Sequence, residues 1–456
     1  MFMVNKIAKI SKITEKNFHN VEKILLPSSK SFLNRALILA SISDKKVVLN
    51  GVVDICQDVK DMIEILQNLG VKIEIKNSKN EEKEIVIYGN GGKFQKPKNG
   101  ILNCGLGGTT TRFLLGLSAL FDFEITITAH GKMLERPVGE ILEVLKKLGK
   151  NVEFLQRNGC LPVKIAGKIK HIKSIEIDGS KSSQFVSSIF LIADAIGVEE
   201  VIVKNLASKP YVNMTLKILQ NFGINFEKST KKNMIFYKKI EEKNREKKQD
   251  SKDKNLEIEV EKDFSSASYF LALQAIFNFK KNVLFLNKNS CQGDAKFINI
   301  LKKIENFEKK NKNEKSVKKP LVLNMLNMPD VSMTAMIVCC LRDFDTKITG
   351  LKTLKNKECN RLLAMQNEFA KIGVKTEISK NWNSIIIHGK SDFALKKSVK
   401  IETYNDHRIA MCFAILGTKI GNLEIQNCNV VEKSFPNFWQ ELNKFECVKM
   451  VQNSDL

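Results

Sequence analysis

A chain of 456 residues exceeds what one ordinary hydrophobic core serves, so two domains of roughly 200 residues each are expected. Its 74 Lys and Arg against 50 Asp and Glu give a net charge of +24, which would suit nucleic acid, an anionic surface or acidic substrates. Much of the excess lies in two polar runs, 228–255 and 302–319, in a chain biased towards Lys, Asn and Ile. With only 2 Trp and 5 Tyr, no stacking platforms interleave with cations, so nucleic acid and membrane surfaces are set aside as partners. The 10 cysteines include no Cys-x-x-Cys pair, which suits a reducing cytoplasm and argues against a zinc knuckle or a secreted disulfide framework. No uncharged apolar run reaches the length of a membrane span, about 18 residues. The Lys-rich N-terminus lacks the sustained apolar core of a secretory signal, with a transit segment as the alternative.

The first informative stretch is 24–43. A short apolar strand ends at Pro27, a small polar loop follows, and from Phe32 the residues Leu33, Ala36, Leu37 and Ala40 recur at helical spacing. The loop delivers Ser31 to a helix N-terminus, with Lys30 before it and Arg35 one turn in. Free backbone N–H groups and the helix dipole there favour a phosphate or carboxylate. The alternative is that Ser29 or Ser31 is an N-cap and the two cations form a solvated face.

Farther along, one helix-to-strand junction repeats. Gly70, Gly149, Gly223 and Gly373 each follow an amphipathic helix and precede a short strand, as C-capping glycines do. They are spaced 79, 74 and 150 residues apart, the last about two periods. Degenerate copies fit at 298–308 and 438–445. A small or polar loop opening a helix recurs in step, beginning at Ser28, Gly107, Gly179, Asp263, Pro329 and Tyr404. Six units of about 75 residues exceed an ordinary solenoid period and imply two pseudo-symmetric α/β domains of three mixed strand–helix units each. The charged run after the strand at 234–237 marks the domain crossover. The expected division is 25–240 for a substrate domain, 1–24 with 256–456 for the second, and 241–255 as a Lys-rich crossover insertion. The runs 239–255 and 306–319 are expected to be disordered or surface excursions without catalytic roles.

The recurring loops carry arginines: Arg35, Arg112, Arg136, Arg361 and Arg408. The planar guanidinium binds carboxylate and phosphate bidentately, so this set, with Lys30, Lys357 and Lys433, suits substrates bearing several anionic groups without a metal. Taken singly, each arginine could equally be a capping or surface-pair residue. Asp330, Glu358 and Asp406 lie in the same loops. Among cations such carboxylates stay ionised and could accept a substrate proton, while a lysine could donate one; helix capping is the alternative for Asp330 and Asp406. His407 is either a structural histidine or a proton shuttle.

From about Leu25 to Glu441 the chain resembles the 3-phosphoshikimate 1-carboxyvinyltransferase family of enolpyruvyl transferases. The matching stretches include Leu-Pro-Ser-Ser-Lys-Ser at 26–31 with Asn34-Arg35-Ala36-Leu37, Gly108-Thr109 with Arg112, Glu135-Arg136-Pro137 and Ser182-Ser183-Gln184. They continue with Ser208-Lys209-Pro210-Tyr211, Gln292-Gly293-Asp294, Pro329-Asp330, Lys357-Glu358 with Arg361, Tyr404-Asn405-Asp406-His407-Arg408, and Lys433 with Phe435-Pro436. Their joint order and spacing are specific where each alone is weak.

The resemblance implies two domains of three βαβαββ units, an inverse α/β barrel with the active site in the interdomain cleft. It also implies an enzyme that joins phosphoenolpyruvate to the 5-hydroxyl of shikimate 3-phosphate, with no cofactor and no metal, as a cytoplasmic monomer. Carried over residue by residue, Ser31, Arg35, Ser182, Ser183, Ser208, Tyr211 and Lys357 would hold shikimate 3-phosphate, with Lys30, Gln184 and Asp330 also touching it. Phosphoenolpyruvate would meet Lys30, Gly108, Arg136, Gln184, Arg361, Arg408 and Lys433. Asp330 would be the base for the 5-hydroxyl, with Glu358, Lys30, Lys433 and His407 as candidates for the other proton transfers.

Two departures stand out. Leu106 replaces an amide usual in that loop, and Thr353 stands where many relatives place a substrate-binding Asn, so weaker or water-mediated contact is expected there. The related UDP-N-acetylglucosamine 1-carboxyvinyltransferases carry a cysteine just before their Arg-Pro, and none lies between Ala129 and Pro137 here. A non-enzymatic, basic nucleic-acid-binding repeat protein would leave the acids Asp330, Glu358 and Asp406 in the cationic loops unexplained.

Overall fold

Two kinds of helix alternate along the chain, and composition decides which kind goes inside. Helices such as Gly108–Leu117 and Ser332–Cys340 are built, Arg112 apart, of apolar and small hydroxyl or thiol residues, and every residue in both is buried. A helix apolar around its whole circumference has no face to offer water. Others, such as Gln57–Asn68 and Gly139–Lys147, bury one stripe (Ile141, Leu142, Val144 and Leu145 in the second) and leave Lys and Glu outside.

The computed structural model describes residues 6–78, 81–232, 234–240, 255–313, 319–391 and 395–452. The chain divides into two units, 28–261 and 1–27 with 262–456. In the 28–261 unit the three inner helices Lys30–Ile42, Gly108–Leu117 and Ser183–Ala193 pack on one another. In the other unit the helices Phe264–Phe277, Ser332–Cys340 and His407–Ile420 do the same.

Among the described residues five four-stranded sheets cover these helices, and all five share one pattern: two parallel strands, then two antiparallel ones. Ile101–Asn103, Ile125–Thr128, Val163–Ala166 and Asn151–Phe154 form one sheet in that spatial order. With the helices Gly108–Leu117 and Gly139–Lys147 between its strands, this unit reads βαβαββ along the chain. The sheets starting at Ser174–Asp178 and at Leu321–Asn324 are built the same way. The junction glycines Gly70, Gly149, Gly223 and Gly373 have φ of 89°, 100°, 75° and 76°, left-handed values that explain why glycine recurs at these helix ends.

Two sheets are completed from far away in sequence. Leu256–Glu259 pairs in parallel with Lys46–Val52, so residues 256–261, expected in the second domain, belong with the first. The alternation Leu-Glu-Ile-Glu puts Ile258 in the core, which fixes that strand's face. Similarly, Lys6–Ile10 lies between Leu423–Ile425 and Val448–Gln452, so the N-terminal strand supplies what the last unit lacks. The sixth unit keeps its helices Phe264–Phe277 and Phe297–Asn313. Among the described residues 279–320, however, it has no sheet strand; left-handed Asn278 and Phe285, at φ of 53° and 46°, interrupt the extended backbone a ladder needs.

The Lys-rich insertion 241–255 lies, except for Asn255, outside the described residues, as do 314–318 of the second run. Residues 306–313 of that run are helical, because apolar Ile300, Leu301, Ile304 and Phe307 at helical spacing dock this helix on the core.

Candidate active site

In the 28–261 unit, polar residues gather where the first turns of the inner helices meet. Ser29 caps the first helix, its hydroxyl accepting from Phe32 N at 3.4 Å, and Ser31 lies within the first turn. Lys30 is tied to Asp58 at 2.8 Å. Arg35 is 1% exposed and donates to Ser31 O at 2.7 Å, Thr215 Oγ1 at 2.7 Å, Ser187 Oγ at 3.3 Å and Tyr211 O at 3.4 Å. It also stacks over Phe113 at 5.0 Å. Its fork therefore joins three helices, and it stands behind Ser31 within the fold. Ser182 caps the third inner helix by accepting from Gln184 N at 3.2 Å, and Ser183 begins that helix. Gln184 donates to Thr109 Oγ1 at 2.9 Å and accepts from Arg112 at 2.7 Å. Ser208, at φ of 51°, precedes the helix Lys209–Asn221, which carries Tyr211 in its first turn.

Gly108 opens its helix with two guanidiniums against it. A Cβ at that position would lie 2.7 Å from Arg136 Nη1 and 3.0 Å from Arg112 Nη1, so only glycine admits both. Arg136 is 9% exposed, and among the described residues its Nε has no hydrogen-bond partner. Two like charges converging on a helix N-terminus with a donor unspent are the arrangement that favours an anion. A buried donor left unmade costs about 1–3 kcal/mol.

In the other unit Arg361 is the hub. Only 1% exposed, it donates from Nε to Asp406 at 2.7 Å, from Nη1 to Asp330 at 3.0 Å and from Nη2 to Glu358 at 2.8 Å. Asp330 also meets Lys357 at 3.1 Å and Arg408 at 3.6 Å, while Glu358 pairs with Lys433 at 2.8 Å. Burial alone would raise the pKa of Asp330, but Lys357, Arg408 and Arg361 outweigh it and hold the carboxyl well below its usual range. Burial likewise works against the charge on Arg361, and Asp406, Glu358 and Asp330 more than offset it. Asp406 caps its helix, accepting from Arg408 N at 2.9 Å, and at the same time anchors Arg361, so its capping and ionic roles coexist. His407 is 1% exposed, with Nδ1 3.8 Å from Asp406. Thr353 Oγ1 is buried and, among the described residues, has no hydrogen-bond partner.

The structure thus brings together Lys30, Ser31, Arg35, Ser182, Ser183 and Gln184 with Gly108 and Arg136 in one unit. In the other it assembles Asp330, Lys357, Glu358, Arg361, Arg408 and Lys433. Sequence reasoning missed Asp58, and it named Asp294 only within the Gln292-Gly293-Asp294 stretch, without a role. Asp58 lies on the same face as Met62 and Leu66 of its helix and is 3% exposed; an acid on an apolar stripe was the available signal. Asp294 is buried and accepts a hydrogen bond from Ser265 Oγ. Burial and the neighbouring charge of Asp330 push its pKa up to about 7.

A family profile described as EPSP synthase (3-phosphoshikimate 1-carboxyvinyltransferase) matches residues 19–442. The chain is 32% identical over 431 residues to a 3-phosphoshikimate 1-carboxyvinyltransferase of Colwellia psychrerythraea, covering 93% of this chain and 97% of the relative. It is 34% identical over 429 residues to that of Buchnera aphidicola subsp. Cinara cedri, covering 92% and 93%. Among solved structures, an EPSP synthase of Acinetobacter baumannii superposes with a TM-score of 0.69 at 22% identity, covering 98% of this chain and 100% of that one. The enolpyruvyl transferase NikO of Streptomyces tendae gives 0.67 at 10% identity, covering 98% and 99%; these two likenesses concern the fold.

Proposed function

The chain belongs to the EPSP synthase family and transfers the enolpyruvyl group of phosphoenolpyruvate to the 5-hydroxyl of shikimate 3-phosphate, releasing phosphate in the shikimate pathway, and from this premise we propose how its side chains share the reaction. In the 28–261 unit, Ser31, Ser182, Ser183, Ser208 and Tyr211 take hydroxyls and phosphate of shikimate 3-phosphate, with Arg35 as the cation behind Ser31. Arg136, Lys30, Gln184 and the helix N-terminus at Gly108 take phosphoenolpyruvate. In the other unit, Arg361, Arg408 and Lys433 serve phosphoenolpyruvate, while Lys357, Asp330 and the unspent hydroxyl of Thr353 serve shikimate 3-phosphate. The single observation that carries this reading is Arg136, a buried guanidinium converging with Arg112 on Gly108, whose Nε has no hydrogen-bond partner among the described residues.

Asp330 is the acceptor for the 5-hydroxyl proton. Surrounded by Lys357, Arg361 and Arg408 it is ionised but a weak base. Substrate anions that engage those cations restore its basicity, so base strength rises as the ligands seat. The hydroxyl oxygen attacks C2 of phosphoenolpyruvate, and the methylene carbon takes a proton. The electron pair of the C2–O–phosphate bond then leaves with phosphate while a proton returns from the methyl. Lys30, Lys433 and Glu358 are the groups for those transfers; His407, 1% exposed, occupies the first position of its helix.

The protein works as a monomer in the cytoplasm without nucleic-acid or membrane partners. Its free cysteines support a reducing compartment, and sedimentation at twice the chain's mass would overturn the monomer. No helix of the described residues is long and apolar enough to cross a membrane. The test of the site is Arg136→Ala in an assay of phosphate release dependent on shikimate 3-phosphate. The KM for phosphoenolpyruvate should rise at least about tenfold, the order of one lost charge-assisted hydrogen bond, with shikimate 3-phosphate affinity little changed. An unaltered KM would defeat the assignment.

A further inference from the structure

Asp406 and Arg408 are presented by an unusual turn. Thr403 O accepts from Asp406 N at 2.8 Å, and the two central residues, Tyr404 and Asn405, have φ of 53° and 54°. A turn with both central residues left-handed favours Asn, Asp or Gly. Asn405 fits that preference and is held by Asn427 Nδ2 at 2.7 Å. Tyr404 does not, since a bulky side chain at positive φ is a genuine outlier. Strain of this kind persists only where surrounding structure imposes it, and it gathers at functional sites.

The restraint is Glu368. This carboxylate is fully buried, and its Oε1 accepts from the Tyr404 hydroxyl at 2.7 Å while Oε2 accepts from Glu402 N at 3.1 Å and pairs with Lys371 at 2.7 Å. Burial and the Glu368 carboxylate push the Tyr404 phenol up to about 12, so it remains a donor at neutral pH. Glu368 sits two turns along the helix Arg361–Lys371, whose first residue binds Asp406. One helix therefore grips the 402–408 segment at two points. We propose that Glu368 and Tyr404 are positioning residues for phosphoenolpyruvate binding, holding a strained turn so that Asp406 meets Arg361 and Arg408 faces Asp330.

The inference rests on the assignment of Arg408 to phosphoenolpyruvate, and its test separates the two. In the full-length enzyme, Tyr404→Phe removes only the hydroxyl, and the KM for phosphoenolpyruvate should rise about five- to tenfold with the melting temperature nearly unchanged. Glu368→Ala should raise that KM as much, at a lower melting temperature, because Glu402 N and Lys371 lose their partner as well. Tyr404→Gly accepts the left-handed turn without a tether, so its KM should stay within about twofold of the parent. Adding Glu368→Ala to Tyr404→Gly should then cost less than about twofold more, whereas a merely structural Glu368 would cost as much in either background. If Arg408→Ala leaves the KM unchanged, the assignment of Arg408 fails. If Arg408→Ala raises it and Tyr404→Phe does not, the positioning role fails, and that comparison decides the matter even should Glu368→Ala not fold.

Discussion

Gly108→Ala isolates the anion site from the fold around it. The new methyl carbon would stand 2.7 Å from Arg136 Nη1 and 3.0 Å from Arg112 Nη1. To reach an ordinary contact of 3.4 Å, the Arg136 guanidinium must retreat by about 0.7 Å. Both obstructing atoms are the ends of flexible side chains, so the helix can keep its place. Alanine is also the better helix former by up to about 1 kcal/mol, so the melting temperature should hold or rise slightly. Phosphoenolpyruvate would meet a displaced fork. A hydrogen bond to a charged group contributes about 1.5–3 kcal/mol, and losing about half of one at the stronger end of that range gives roughly 1.4 kcal/mol, a tenfold change. Steady-state phosphate release with each substrate varied should show the KM for phosphoenolpyruvate up about tenfold and that for shikimate 3-phosphate within twofold. A KM for phosphoenolpyruvate within twofold of the parent would refute the placing of Arg136 on that ligand. A large drop in melting temperature would show instead that the glycine serves packing.

Asp330→Ala should lower kcat by about 10²-fold or more while ground-state binding survives, because it removes the proton acceptor and leaves the cations; near-normal turnover would shift the role to Glu358. Asp294→Asn should alter the pH dependence of stability. The folded pKa of Asp294 is raised from 3.8 to about 7, so between those values the folded state binds more protons than the unfolded one, and this group's contribution falls as pH rises from about 4 to 7. The displacement corresponds to roughly 4 kcal/mol, and urea unfolding from pH 4 to 8 should show the variant gaining on the parent across that window. Parallel curves would refute the buried, raised carboxyl.

The repeat and much of the site chemistry can be read from local sequence. Junction glycines at Gly70, Gly149, Gly223 and Gly373 were legible because a left-handed C-cap is a local requirement of backbone sterics that only glycine meets cheaply. The caps at Ser29 and Asp406 were legible as alternatives for the same reason, since a hydroxyl or carboxyl beside a helix start needs only its own neighbours. The motif set from Leu25 to Glu441 points to an anion-binding transferase. Tertiary structure decided what depends on partners distant in sequence. Leu256–Glu259 joins Lys46–Val52, and Lys6–Ile10 joins Leu423–Ile425, because an unpaired strand edge takes whichever extended segment the chain returns to it, and nothing local names that segment. The fork of Arg35 is spent on Thr215, Ser187 and Tyr211, whereas Arg136, with the same side chain, has an Nε without a hydrogen-bond partner among the described residues. The strained turn at Tyr404 is held from Glu368, more than thirty residues upstream. A guanidinium or a left-handed tyrosine carries no sequence mark of its partner, since the energy that fixes it comes from burial and hydrogen bonds formed only when the helices pack.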